Sequence, residues 1–483
     1  CYIDDNGMQH ILKDNPEFEM PVIDVSAMNE KEIERYMKNV RKEMLSTRLD
    51  LSKAPLMSAR VTKLNEGTAI LHVYADGQIM DGWSFETFFA ELGKLYKNPE
   101  LELEPLKVTF RDYIMYREAL KSTKKYEEDK EYWCKKIKTL PKAGVLPLLK
   151  PIEEIKDVVG IQVECGLPID EWRILEKKSR SHGISPFSVL FASFAYAISR
   201  WNNKQSFLLN IPEFYRPDFH EDIFKIIGEC ASFLLFEVEN KKDETFLENA
   251  IRTQRQIMEL KDHHSFSGME VTREIYKHNN GYNEVLAPIV FGMLPETPHF
   301  EENFIEIERE LLKVKYQENH TSQVWIDVNT CVYSDRIEFN FNSLEGLIDK
   351  KVLESVAAMQ KYILKSAVNN DDFWNKPVKL SLPERDEKII NASNDTAEEF
   401  KFEGFSRILD KRFTEYADRI CIRTEENNYT YNQVEGMVKC LAAKIRENGY
   451  KPGDYIAVHM GKGVEQIISI LAVIYAGAVY VPI

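Results

Sequence analysis

Ile70-Leu71-His72-Val73-Tyr74-Ala75-Asp76-Gly77-Gln78-Ile79-Met80-Asp81-Gly82-Trp83-Ser84 reads as a strand that stops at a glycine, a short loop, and a helix that opens behind an acid. In a strand, Leu71, Val73 and Ala75 point one way and Ile70, His72, Tyr74 and Asp76 the other. Asp81 precedes the helical pattern, where a carboxylate accepts the first turn's free backbone N–H groups. Asp76, Asp81 and Ser84 therefore converge on one strand-to-helix connection. On spacing alone, an N-cap (Asp81 or Ser84) plus a turn aspartate is the commoner explanation of such a cluster.

Outward from this connection the chain alternates. Apolar residues at three- and four-residue spacing predict helices over Lys31–Met44, Phe85–Tyr96, Phe187–Trp201, Phe246–Leu260 and Leu353–Val368. Strand pattern marks Ala69–Ala75, Phe207–Asn210, Phe233–Val238, Val324–Val328 and Arg336–Phe341. This mixture predicts α/β architecture in two lobes. The expected boundaries are a first lobe over 1–150, ending in the Pro-rich stretch Leu140–Leu148, a second over 151–375, a polar linker over 376–397 with Pro377 and Pro383, and a fresh α/β segment over 398–483.

A second informative stretch is Thr321-Ser322-Gln323-Val324-Trp325-Ile326-Asp327-Val328-Asn329. Period-two geometry puts Thr321, Gln323, Trp325 and Asp327 on one face and Val324, Ile326 and Val328 on the other. A half-exposed strand with a solvated face accounts for that pattern. So does a cleft wall, because an indole among polar groups often lines a binding surface.

Composition narrows the classes. Of 483 residues, 63 are Lys or Arg and 78 Asp or Glu, a formal charge of −15 with no basic stripe, which argues against nucleic acid as a partner. The apolar run near Ile467–Ile483 is interrupted by Ser469, Gly477 and Tyr480 and reads as buried helix and strand, so no membrane is expected. Seven scattered cysteines without CxxC spacing, and His263-His264 without flanking ligands, predict reduced thiols, a cytoplasmic setting and no metal. The first residue is Cys1 in a polar stretch, which reads as part of something longer.

Together the segments resemble one family. Asp76-x4-Asp81-x2-Ser84 resembles the DxxxxDxxS signature of heterocyclisation domains of non-ribosomal peptide synthetases, which replaces the HHxxxDG of ordinary condensation domains. Tyr132-Trp133 with Leu140-Pro141 and Leu146-Pro147-Leu148 resembles YW…LPxxPxLPL. Gly228–Val238 resembles GDFTSLLLLEVD, His263–Val271 resembles HRxVSGVEVLRE, and Thr321–Asp327 resembles TPQVWLD. After the linker, Tyr429–Val434 is similar to the LTYxEL, and Ile474–Ile483 to the LKAGAAYVPID, of adenylation domains.

The resemblance implies two chloramphenicol-acetyltransferase-like lobes in a V around a tunnel, with the first lobe lacking its start. Upstream and downstream peptidyl carrier proteins bring phosphopantetheine-tethered substrates, and an adenylation domain adjoins. ATP belongs to the complete adenylation domain, whose glycine-rich phosphate loop would follow residue 483. The implied activity is condensation of a carrier-bound acyl or peptidyl thioester with carrier-bound Cys, Ser or Thr, then cyclodehydration to a thiazoline or oxazoline. Asp327 is the expected acid–base group, with Gln323 and Thr321 beside it on the same strand face. Asp76, Asp81 and Ser84 complete the candidate site, the two acids holding the tunnel loop through an arginine such as Arg216. One departure opens alternatives. The family's PVVFTS threonine corresponds to Gly292 in Pro288–Leu294, which leaves condensation without cyclisation, or a non-catalytic carrier-docking platform, as further readings.

Overall fold

Ser185 caps a helix over Pro186–Ser199 by accepting from the Ser188 N–H, and Pro186 at the first turn presets its backbone. The helix is apolar nearly all round, so it is a central element: Val189, Leu190, Phe191, Phe194 and Ile198 are fully buried. The computed structural model in which it sits describes the chain apart from residues 15–16, 65–66, 142, 145, 156–158, 203, 205, 279–284, 294–312, 319–322, 379–383 and 400–402.

The described residues form two compact units, 1–387 and 388–483. In the larger, a six-stranded sheet runs Gly160–Pro168, Arg336–Leu344, Ile326–Val332, Ile289–Met293, Ser206–Phe214, Ala231–Glu239. Ile289–Met293 pairs in parallel with both neighbours, and the other pairings are antiparallel. Pro186–Ser199 and Lys350–Asn369 cover one face, packing on Phe291, Phe339 and Phe341. A three-stranded sheet of Val22–Asp24, Met57–Lys63 and Ala69–Ala75 belongs to the other lobe, with the helices Glu30–Ser46 and Gly82–Lys97 beside it in sequence. The expected two α/β lobes are thus present.

Gly228 shows how tightly the lobes' segments meet. A Cβ there would overlap the Phe110 ring, so only glycine allows the approach. Gly228→Ala is expected to lower stability by about 1–3 kcal/mol, read as a fall in the denaturation midpoint.

The polar stretch after residue 369 is more ordered than its composition suggests. Asp371–Trp374 is helical with Trp374 buried against Phe246, and Glu384–Asn394 is a further helix. The smaller unit packs helices Phe405–Glu415, Tyr431–Glu447 and Val464–Tyr475 around Phe413, Val434, Val438 and Ala472. The strand Tyr455–Val458 pairs in parallel with Val479–Pro482.

Candidate active site

Asp327 is the second residue of the strand Ile326–Val332. Its neighbours Ile326 and Val328 are fully buried in the core, so the alternation turns Asp327 to the opposite face of the sheet. That face is polar. Across the sheet the register aligns Gln162, Asn342, Asp327, Val290 and Asn210 in one row. The next row holds Glu164, Asn340, Asn329 and Gly292. Gln162 Nε2 donates to Asn342 Oδ1 at 2.8 Å, and Asn342 Nδ2 donates to the Asp327 carbonyl at 3.3 Å. Ser343 Oγ fixes the preceding turn by donating to the Trp325 carbonyl at 2.7 Å.

Asp327 is only 8% exposed, and burial pushes its carboxyl up to about 7 against the hydrogen bond from the Asn329 side chain, which favours the ionised form. A carboxyl in this range exchanges its proton near neutral pH, as a general acid–base group requires.

The strand expected through Gln323 begins later. The Trp325 and Ile326 N–H groups both reach the Pro288 carbonyl, at 2.7 and 3.3 Å, which fixes the strand start at Ile326. Gln323 lies before it in a turn, exposed and with φ 69°, so the period-two alignment with Asp327 is broken there. Thr321 lies outside the described residues. Trp325 lines a cavity of about 340 Å³ with Leu148, Leu149, Ile152 and Val285.

The Asp76–Ser84 connection is built as a lock. Asp76 Oδ1 accepts from the Gln78 N–H at 3.0 Å, a local turn bond. Asp81 caps the helix Gly82–Lys97, its Oδ1 accepting from the Ser84 N–H at 2.8 Å and Ser84 Oγ at 2.7 Å. Arg216 closes a bidentate pair, Nη1 to Oδ2 at 3.0 Å and Nη2 to Oδ1 at 2.9 Å, so of the two acids expected to use this arginine it is Asp81 that it grips. Both side chains are 1% exposed. The Gly228 N–H donates to Ser84 Oγ at 3.0 Å and the Cys230 N–H to Asp81 Oδ2 at 3.2 Å. The first signature segment is thereby tied to the third.

The second and fourth segments are tied in the same manner. Trp133 Nε1 donates to the His263 carbonyl at 3.1 Å, and Tyr132 stacks on the His263 ring at 3.8 Å. Asp129 Oδ1 lies 2.8 Å from His263 Nδ1 and accepts from Lys125 at 2.7 Å. Burial opposes the ionised Asp129, but the bonds from Lys125, Ser265 and His263 outweigh it and hold the carboxyl below its ordinary range. His263 thus serves packing, and no cluster of metal-ligating side chains occurs among the described residues.

Asn329 carries no motif of its own in the sequence, although the same period-two rule that places Asp327 carries two residues further. Gly292 is its neighbour across the ladder, and a Cβ at Gly292 would lie 3.2 Å from Pro212 Cγ. The site therefore pairs Asp327 with an amide where the resemblance implied a hydroxyl.

Comparison with known proteins identifies the family. The Condensation domain model matches residues 2–390 and the AMP-binding enzyme model residues 409–483. Bacitracin synthase 1 of Bacillus licheniformis is 27% identical over 99% of the chain, which spans 9% of that protein's length. Phenyloxazoline synthase MbtB of a Mycobacterium species is 27% identical over 90% of the chain, which spans 36% of its length. The crystal structure of the non-ribosomal peptide synthetase FmoA3 covers the whole chain with a TM-score of 0.79 at 23% identity, over 50% of its own length. By its matched residues, its lobes and the placement of its signature segments, the chain belongs to the condensation domain family of the non-ribosomal peptide synthetases, followed by the start of an AMP-binding domain.

Proposed function

We propose that residues 2–390 join a carrier-bound acyl or peptidyl thioester to carrier-bound Cys, Ser or Thr and then close a thiazoline or oxazoline ring, with Asp327 as the proton-transfer group. The observation that carries this reading is the buried Asp327 carboxyl, poised near 7 on the polar face of the six-stranded sheet. In the ring-closing step the thiol or hydroxyl adds to the new amide carbon, and its proton passes to Asp327. The former carbonyl oxygen takes that proton and then the one the amide nitrogen releases, so that the C–O bond breaks and one water departs as the C=N bond forms. The phosphopantetheine arms belong to partner carriers and enter as tethers of the substrates. The relative whose name includes an oxazoline supports the same chemistry.

Asn329 is a positioning residue in this scheme. Its hydrogen bond favours ionised Asp327, so Asn329→Ala is expected to move the carboxyl above about 7. The rising limb of ring closure then shifts to higher pH, while the pH dependence of amide formation stays in place. A pH–rate profile with mass detection of both products checks this.

Gly292 supports a second reading, amide formation without ring closure, because the position that the resemblance assigns to a threonine carries no side chain beside Asn329. Loaded donor and acceptor carriers with product mass analysis separate the two. A product lighter by one water is the ring, the amide mass alone is condensation, and no product leaves only carrier docking.

A further inference from the structure

The cavity of about 340 Å³ beside Trp325 is a space that the scheme above leaves unused. Trp325 precedes Asp327 by two residues, so their Cα atoms are at most about 7 Å apart. The Trp325 N–H donates to the Pro288 carbonyl at 2.7 Å, and its own carbonyl accepts from Ser343 Oγ at 2.7 Å. These bonds hold the residue where the parallel strands Ile326–Val332 and Ile289–Met293 begin. A second wall is anchored just past the end of Arg336–Leu344, the strand that pairs with Asp327 through Asn342. There the Leu149 N–H donates to the Leu347 carbonyl at 2.8 Å, and Leu148 pairs with Ile348. The walls of the cavity are thus fixed by the same strand ends that seat Asp327.

Leu148, Leu149, Ile152, Val285 and the indole of Trp325 make the lining apolar. Leu149 is 60% exposed, although a large apolar side chain gains by burial, so the cavity presents apolar surface that a ligand can cover. The charged residues of the lining, Lys150 and Glu153, are exposed and opposite in sign, so the cavity offers no net charge to an ionised group. An apolar protein cavity of about 150 Å³ holds one benzene molecule, and this one is more than twice that size. An aryl ring or a branched aliphatic chain fits it.

The chemistry says which part of the substrate comes near it. In ring closure the acceptor's thiol or hydroxyl is consumed in the ring, and a Cys, Ser or Thr brings at most a methyl group besides. The donor's acyl substituent stays on the carbon that is attacked, whose oxygen takes the proton from Asp327. It therefore starts beside Asp327 and is the group that can span the distance of at most about 7 Å to Trp325. We propose that the cavity is the subsite for the donor's acyl substituent, and that Trp325, Leu149 and Ile152 select an aryl or branched apolar group over a small one. The inference rests on the reading of Asp327 as the ring-closing group.

The test compares two donors on one holo-carrier domain, a benzoyl and an acetyl group, each joined through a stable amide in place of the thioester. Calorimetry gives the dissociation constant of the chain for each. The wild-type chain is expected to bind the benzoyl form about tenfold more tightly. Ile152→Trp fills the cavity, and Leu149→Glu sets a charge in its lining at a position 60% exposed, where a substitution leaves the fold intact. Each is expected to bring the two constants within about twofold of each other. The contribution of carrier docking is common to both donors and cancels in the ratio. Equal constants in the wild-type chain would overturn the proposal, as would a benzoyl preference that survives both substitutions unchanged. Ring yield from Asp327→Asn reports separately on the site reading: a full yield there sinks that reading, and the donor ratios then decide on their own whether the cavity holds the acyl substituent.

Discussion

Asp327→Asn is expected to abolish ring closure and, above neutral pH, to raise the stability of the fold. Asparagine keeps the shape of the side chain and its place beside Asn329 but can neither accept nor return the proton. Loss of general acid–base help of this kind lowers a rate by about 10²–10⁴. Amide formation, which the scheme does not route through Asp327, should persist, so the product mass changes from ring to open amide. The stability effect follows from the raised carboxyl. Below about pH 4 the group is protonated in both the folded and unfolded chain and contributes no difference. Between about 4 and 7 the folded chain binds a proton that the unfolded chain has released, so the wild-type protein loses stability as pH rises. Above about 7 the penalty is constant, on the order of a few kcal/mol. Asparagine carries none of it. The midpoint difference between variant and wild type should therefore grow from pH 4 to pH 7 and then level off. A variant that loses the ring and gains stability in that window identifies Asp327 as a functional group held against the interest of the fold. A variant that keeps the ring removes Asp327 from the chemistry.

The residues that were legible in the sequence are those whose role is set by local periodicity. The strand Ala69–Ala75 has the bounds its alternation predicts, and the helix Phe246–Asp262 starts where its spacing starts. The face of Asp327 follows from Ile326 and Val328. Gln323 was misplaced because strand pattern alone does not show where a ladder begins; that depends on the Pro288 carbonyl, 37 residues away by the difference of 325 and 288, which takes the Trp325 N–H. Which of Asp76 and Asp81 Arg216 grips is not legible for the same reason, since Arg216 and Asp81 are 135 residues apart in the chain. Long-range contacts thus decide which polar residues become chemical, while short-range patterns decide which strand or helix carries them.

Arg216→Met is expected to destabilise the larger unit by about 3–5 kcal/mol, because it leaves the Asp81 carboxylate buried without its cation. The bonds that remain to Asp81, from the Ser84 hydroxyl and the Ser84 and Cys230 N–H groups, compensate only in part. Asp81→Leu should cost a similar amount, since the buried guanidinium is then stranded without its carboxylate, keeping the bond from Nη2 to the Ser84 hydroxyl at 3.2 Å. The double variant Asp81→Leu, Arg216→Met removes both charges together. It is expected to recover more than half of the loss of either single change, as buried ion pairs replaced by apolar side chains of similar volume often do. Chemical denaturation of the four proteins measures the coupling. The activity pattern separates this lock from Asp327. The lock joins the start of the helix Gly82–Lys97 to the Gly228–Cys230 turn, and that turn leads directly into the sheet strand Ala231–Glu239. Loosening it disturbs the seat of the whole substrate, so amide and ring formation should fall in proportion, whereas Asp327→Asn removes the ring alone. If Arg216→Met instead spared the amide and lost the ring, Asp81 and Ser84 would belong with the proton-transfer chemistry, and the lock would be a catalytic device rather than an architectural one.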